Sequence, residues 1–419
     1  MKAGTVIHNA RLLGSPGLKD LTIENGRFTS VTGAGIEFPE NTDYEMLDIE
    51  GRVVLPGFVD VHMHLDKALT WPSIPNPSGT LQEAIWRFEE AQADMDIDSI
   101  TERMTATVRK AIQHGTTAIR THLNYGTSSY LHKVVEAFQK VQASFTDYIT
   151  LEAVLMCPFD ITKEAEKNIR WAINNGVHLL GGAPHLADNP KTNIADIFEL
   201  AVSLEVDIDL HIDESDDPTA KSLEDVCKWI IQTGYQGRVT VGHCTSLAAM
   251  NESEAQELIS LVQKAQIGIV TLPSSNMFLM GRRDVGLIRR GLTRVKQLLE
   301  SNVPVASASD NIQDPFHPYG NGDLLKIALL TSYGAHLSTE EEMKQLLEMI
   351  TSVPAGFMNL QGYGIDPGNW ADFVILDTKD IRMVLSDLPV SRETWRRGKP
   401  ICKVSESVSW SNKLDPSFI

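Results

Sequence analysis

Between residues 56 and 310 the chain alternates eight short apolar runs with amphipathic stretches, and few folds accept that alternation. The runs are "PGFVDVHMH" (56–64), "TTAIRTHLN" (116–124), "TLEAVLMCP" (150–158), "VHLLGGAPH" (177–185), "VDIDLHIDE" (206–214), "RVTVGHC" (238–244), "IGIVTLPS" (267–274) and "VPVASASD" (303–310). Between them fall "SGTLQEAIWRFEEAQ", "IADIFELAVSLE" and "RRGLTRVKQLLES", with apolar residues at helical spacing. Strand-helix units in this order build a parallel sheet, and eight of them predict a closed (β/α)8 TIM barrel, an α/β fold.

The two ends have another texture. Residues 1 to about 55 carry "GTVIHNARLL", "LTIENGRFTSV" and "YEMLDIEGRVV" between turn residues, and "YGIDPGNWADFVILD" and "GKPICKVSESVSW" return to it. We expect residues 1–55 and 361–419 to form one small β-sandwich, and 56–360 the barrel. A length of 419 residues suits one barrel with such an appendage.

Composition narrows the partners. A formal net charge of -18 disfavours nucleic acid and anionic membrane, because phosphate contacts need clustered Lys and Arg. A small neutral or cationic molecule fits better. Cys157, Cys227, Cys244 and Cys402 show no CxxC spacing, so neither a disulfide framework nor a thiolate zinc site is expected. No signal-like h-region opens the chain and no apolar run reaches membrane-spanning length, which makes a cytoplasmic protein the expectation.

The first run ends in His62 and His64. Residues two apart in a strand share a face, so both imidazoles point one way while Val61 and Met63 point the other. Alone, the pair more often marks two polar residues at an exposed strand end than a metal. Other runs end alike, however: the fifth in His211, then Asp213 and Glu214, the sixth in His243, the eighth in Asp310. At the C-terminal mouth of a barrel such side chains can converge on one divalent ion with a position left for water.

These segments, with "LPGFVDVHMHLDKA", "DLHIDESDDP", "RVTVGHCTSL" and "SASDNIQDPFHPYGNGDLL", resemble the amidohydrolase superfamily, and within it the cytosine deaminase branch. The resemblance runs over nearly the full length. It implies the barrel, the terminal β-sandwich and one catalytic zinc or iron ion. By position, His62, His64, His211 and Asp310 correspond to the metal ligands, with Asp310 also taking a proton from water. Glu214 corresponds to the acid that protonates a ring nitrogen, and His243 to the imidazole that holds the attacking water. Glu214 lies three residues past His211, off the strand's inward parity, so it is expected to enter from the following loop. Members of the family commonly assemble, so a homo-oligomer is a family-level expectation.

Two departures bear on the substrate. The cytosine deaminase branch has a glutamine at the end of the third strand to read the pyrimidine edge, whereas this chain has Pro158 and Phe159. After the metal aspartate stands Asn311 instead of a second aspartate, which is similar to the branch that strips alkylamines from triazines (N-isopropylammelide isopropylaminohydrolase). Asn311 either bonds a substrate amide or serves as a turn residue. His122 and His185, ending the second and fourth runs, line the pocket or support its lining by hydrogen bonds. Phe316 and Trp71 stack on a flat ring or pack loops, and Arg282 and Arg283 meet an anionic ring or stay at the surface. The leading expectation is hydrolytic release of ammonia from a free aminated pyrimidine, purine, triazine or pterin. Alkylamine release or cyclic-amide opening is the alternative. A barrel that has lost its activity is disfavoured, because every one of the six presumed metal and proton-transfer residues is in place.

Overall fold

The structure is a computed structural model and describes residues 4–35 and 43–411. Residues 1–3, 36–42 and 412–419, which the expected terminal domain includes, lie outside the described residues. The chain opens with β1 (Gly4–Leu12), β2 (Lys19–Glu24), β3 (Arg27–Gly33), β4 (Tyr44–Asp48) and β5 (Val53–Pro56). Strand β1 pairs β4 over Gly4–His8 and β5 over Arg11–Leu12, with Asn9 between them at φ 60°. The left-handed residue lets one strand serve two halves of a sheet.

The barrel follows as β6 (Phe58–Met63), β7 (Thr116–Asn124), β8 (Thr150–Met156), β9 (Leu179–Gly182), β10 (Asp207–Ile212), β11 (Val239–His243), β12 (Gly268–Thr271) and β13 (Val305–Ser307). They form one eight-stranded sheet in chain order, all neighbours parallel. Each expected run supplies one strand. Gly57 joins β5 to β6, and a Cβ there would sit 2.3 Å from the Thr117 side chain, so no other residue allows this approach. After the barrel, β14 (Phe373–Leu376), β15 (Arg392–Arg396) and β16 (Lys399–Val404) add to β5, giving the order β16-β15-β14-β5-β1-β2-β3 with β4 on β1. Ile7, Leu21, Phe28, Val54, Phe373 and Trp395 share its apolar core.

The barrel seam closes in two ways. At the mouth, the Asp310 amide donates to the His62 carbonyl at 2.8 Å. Lower down the chain at 349–350 intervenes: the Val59 amide donates to Ile350 at 3.0 Å and the Ser307 amide to Met349 at 2.8 Å. The barrel floor is an apolar cluster of Val59, Val61, Val270, Leu272, Ala306 and Ala308, capped by Ala355 from the helix Ser352–Phe357.

Strand β6 departs from simple alternation. Val59 and Val61 pack in that interior cluster, while Met63 and Leu65 pack in the outer layer against the helices. The pairing with β7 shifts register between Asp60 and Met63. Val61 therefore does not share a face with Met63, which corrects the parity expectation, because a local irregularity resets the two-residue period. The stretch "RRGLTRVKQLLES" is helical only over Val295–Glu300, since Gly291 takes φ 72° and packs against the backbone of Asn276.

Candidate active site

Three strand ends bring four of the site's residues together. His62 and His64 come from β6 and the residue just past it, His211 from β10, and Asp310 lies three residues past β13. All four are 5% exposed or less. The Nε2 atoms of His62 and His64 lie 3.7 and 3.3 Å from the Asp310 Oδ1. The Nε2 atoms of His64 and His211 face each other at 3.1 Å. Both ring nitrogens of His62 are buried without a hydrogen-bond partner.

A chain that buries imidazole nitrogens unbonded bears a desolvation cost of a few kcal/mol, about 1–3 for each group, unless something else binds them. A cation removes that cost. Ligand atoms of His62, His64 and Asp310 lie within 4.8 Å of one another, and those of His62, His122 and His211 do so as well. Imidazoles and a carboxylate are the donor chemistry of a borderline divalent ion, so these residues fit a metal. Burial, aided by the crowding of imidazoles around His62 and His211 and by Lys67 beside His62 and His64, lowers all three rings well below the ordinary range and so favours the neutral state that ligation needs.

The His62 ring depends on its neighbour strand. A Cβ on Gly242 would meet His62 Cε1 at 2.9 Å, so the glycine of "VGHC" makes room for the ring. The following residues leave regular strand geometry: His243 has φ 70°, Asp213 48° and Asp310 57°. Non-glycine residues held there carry strain, which turns their side chains and their neighbours into the mouth.

Glu214 enters in this way. The Asp213 carboxylate accepts from the amides of Ser222 and Leu223, each at 3.0 Å, and so ties the loop after β10 to the start of the next helix. Glu214 then points inward, 8% exposed, with Oε1 3.3 Å from His243 Nδ1. Burial first, and the nearby Asp310 second, push its carboxyl well above the ordinary range, which favours its protonated form. His243 is pushed down to about 4, chiefly by burial, and is neutral. Asn276, fully buried at the start of the helix Pro273–Leu279, donates to Glu214 at 3.3 Å and lies 2.8 Å from His243 Nδ1. With Nδ1 accepting, the His243 proton sits on Nε2.

A cavity of about 200 Å³ opens over these groups. Its polar end holds His64, His211, Glu214, His243 and Asp310; its outer wall holds Leu81, Ile85 and Phe88 from the helix Leu81–Ala91. Pro158, Phe159, Asn311 and Phe316 line it, with Phe159 half exposed at the rim. Asn311 donates its amide to Asp314 at 2.7 Å and faces the cavity with the remainder.

His122 and His185 do not line the cavity. His122 lies behind His62, ring centroids 4.1 Å apart, and its Nε2 is 3.6 Å from Asp209. His185 supports the lining, with Nδ1 3.2 Å from the His211 carbonyl. Trp71 is exposed and outside the cavity, as are Arg282 and Arg283, Arg282 stacking on Phe278 at 4.5 Å. Among the residues that sequence reasoning did not single out are Lys67, on the cavity wall, and Asn276, beside His243 and Glu214. Lys67 lies in the quoted "HLDKA", but a lysine after a strand reads as solvent-facing.

A barrel whose mouth gathers three histidines, an aspartate and a second buried carboxyl is built for metal-assisted hydrolysis. The chain belongs to the amidohydrolase family, whose model matches residues 45–135 and 102–402. It is similar to the pterin deaminase of Rhizobium rhizogenes (strain K84), 31% identical over 91% of this chain and 87% of that protein. It is also 28% identical to the N-isopropylammelide isopropyl amidohydrolase of Pseudomonas sp. (strain ADP), over 91% of this chain and 93% of that protein. Among solved structures, the 5-methylcytosine deaminase of Klebsiella pneumoniae with bound 5-fluorocytosine superposes with a TM-score of 0.90 at 26% identity, covering 97% of this chain and 99% of that one.

Proposed function

We propose that this protein is a hydrolytic deaminase of a free aminated heterocycle, cytosine-like, purine, triazine or pterin, using one zinc or iron ion. The observation that carries the reading is Glu214, a buried carboxyl beside His243 on the wall of the cavity that His64, His211 and Asp310 also line. His62, His64, His211 and Asp310 would hold the ion. When bound, such a cation acidifies water to a pKa near 7 and so supplies a nucleophile at neutral pH.

The chain's own groups do the rest. His243, neutral and with its proton on Nε2, donates to the attacking water and orients it. Asp310 takes a proton from that water. Glu214 gives its proton to the ring nitrogen beside the aminated carbon, so that the ring accepts the new carbon–oxygen bond. Asp310 then passes its proton to the amino group while Glu214, now a carboxylate, takes back the proton of the added hydroxyl; the carbon–nitrogen bond breaks, and ammonia leaves as the ring carbonyl forms. Pro158, Phe159, Asn311 and Phe316 bound the ring's place.

Deaminases of a pterin and of 5-methylcytosine among the relatives support this reading. Alkylamine release is the second reading, favoured by the apolar outer wall of Leu81, Ile85 and Phe88 and by the isopropylammelide relative. Turnover in heavy-oxygen water separates them from any non-hydrolytic course. A product whose amino group is replaced by solvent oxygen, with free ammonia, supports the proposal; a released alkylamine or an opened ring refutes it. A cytoplasmic location, and assembly as a homo-oligomer, belong to the same proposal; among the described residues no helix is long and apolar enough to cross a membrane.

A further inference from the structure

Lys67 is the polar group in the cavity that the mechanism leaves without a task. It is only 5% exposed and lines the cavity between the imidazole cluster and Phe316. A tight turn holds it there. The Lys67 and Ala68 amides donate to the His64 carbonyl at 3.2 and 3.0 Å, Thr70 Oγ1 donates to the Lys67 carbonyl at 2.6 Å, and Arg103 clamps the Asp66 and Ala68 carbonyls. The ammonium sits 4.9 Å over the Phe316 ring and 5.7 Å over that of Phe88.

Its one direct polar contact is His64 Nδ1 at 3.4 Å, and among the described residues no carboxylate pairs with it. That contact is contested. His64 Nδ1 also faces the His122 carbonyl at 3.3 Å, and one nitrogen serves only one of them. When His64 turns a lone pair on Nε2 toward the ligand cluster, its proton is on Nδ1 and the carbonyl is the partner. Lys67 is then a buried cation with two aromatic faces and the longer-range attraction of Asp66, Glu214, Asp310 and Asp314 but no direct acceptor, an arrangement that calls for one from the ligand.

Other polar side chains on the wall have partners within the protein, each keeping a further N–H or O–H. Asn311 donates to Asp314 at 2.7 Å, Asn124 to Gln92 at 3.4 Å, and the Tyr125 hydroxyl accepts from Asn168 at 3.0 Å. Pro158 and Phe159, at the end of β8, offer no side-chain donor.

We propose that Lys67 is the specificity-determining residue of this site, binding a carbonyl or ionised amide oxygen on the ring, so that the substrate class is oxo-substituted aminoheterocycles. The assignment rests on the deaminase reading for its substrate but is testable apart from it. The probes are matched pairs differing in one ring oxygen, cytosine against 4-aminopyrimidine and pterin against 2-aminopteridine. Binding to the metal-loaded full chain is measured by calorimetry, and ammonia release is scored separately. A charged donor to a buried oxygen gives the native protein a preference of about 100-fold for the oxo member of at least one pair. Lys67→Met, with its metal content confirmed by elemental analysis, should bring that preference below about 5-fold, while Lys67→Arg keeps part of it. Equal binding of both members, binding of neither, or an unchanged preference in Lys67→Met overturns the assignment. Lys67-dependent binding of the oxo member with no ammonia from any probe upholds it and refutes deamination instead.

Discussion

Single residues set the chemistry here, and their neighbours set their states. Gly242 is the sharpest steric case, because a methyl group there would lie 2.9 Å from the His62 ring. Gly242→Ala should therefore displace His62 and lower metal affinity by at least about 10-fold, as loss of a supporting contact does elsewhere; metal retention after dialysis reads this out. Glu214→Gln keeps the volume and the contact with Asn276 but removes the proton. It should retain metal and lose kcat by about 10²- to 10⁴-fold, checked by steady-state rates on the true substrate. Asp314 offers a pH test. Its carboxyl is pushed up to about 7, chiefly by burial and against the Asn311 hydrogen bond, from an ordinary value of 3.8. Between those two values the folded chain holds a proton that the unfolded chain has released, so this group makes stability fall as pH rises, by at most about 1.4 kcal/mol per unit. Asp314→Asn removes that slope. The stability difference between native protein and variant should drift steadily from pH 4 to 7 in urea titrations, and a constant offset would show an ordinary carboxylate.

At the scale of elements, the barrel is held from within at the end opposite the site. Arg120 on β7 bonds Glu152 on β8 at 2.6 Å, Asp209 on β10 at 2.8 Å, Thr240 on β11 at 3.1 Å and the Phe357 carbonyl of the floor helix at 2.8 Å. Asp209 is fully buried, so Arg120→Met strands a charge and should destabilise the fold by about 3–5 kcal/mol, measured by denaturant unfolding. This network was not visible in the sequence, where Arg120 is one polar residue in an apolar run. The eight strands were visible, because each run is short, apolar and bounded by turn residues. So was the convergence of His62, His64, His211 and Asp310, since strand ends of one barrel share one mouth. What escaped depends on contacts distant in the chain. The reset of β6 at Val61 arises from pairing with β7, and the 349–350 segment enters the seam from beyond the last strand. Asn276 looks like an ordinary helix-start residue, and only the packing of Gly291 on its backbone shows how tightly it is seated.

For the whole molecule, the terminal sheet and the barrel divide the labour. β5 passes through Gly57 directly into β6, so the sheet built from both ends anchors the strand that bears His62. At a net charge of -18 the chain is expected to repel polyanions, in keeping with the small heterocyclic substrate proposed for the mouth. Everything gathered at this mouth serves, on the proposed reading, to expel ammonia from an aminated heterocycle. The most direct measurement is ammonia release by metal-loaded protein over a panel of free aminopyrimidines, aminopurines, aminotriazines and pterins. Release from at least one ring at an enzymatic rate, abolished by His62→Ala, is the expected result; silence across the panel, with an alkylamine or an opened ring formed from another substrate, would contradict it.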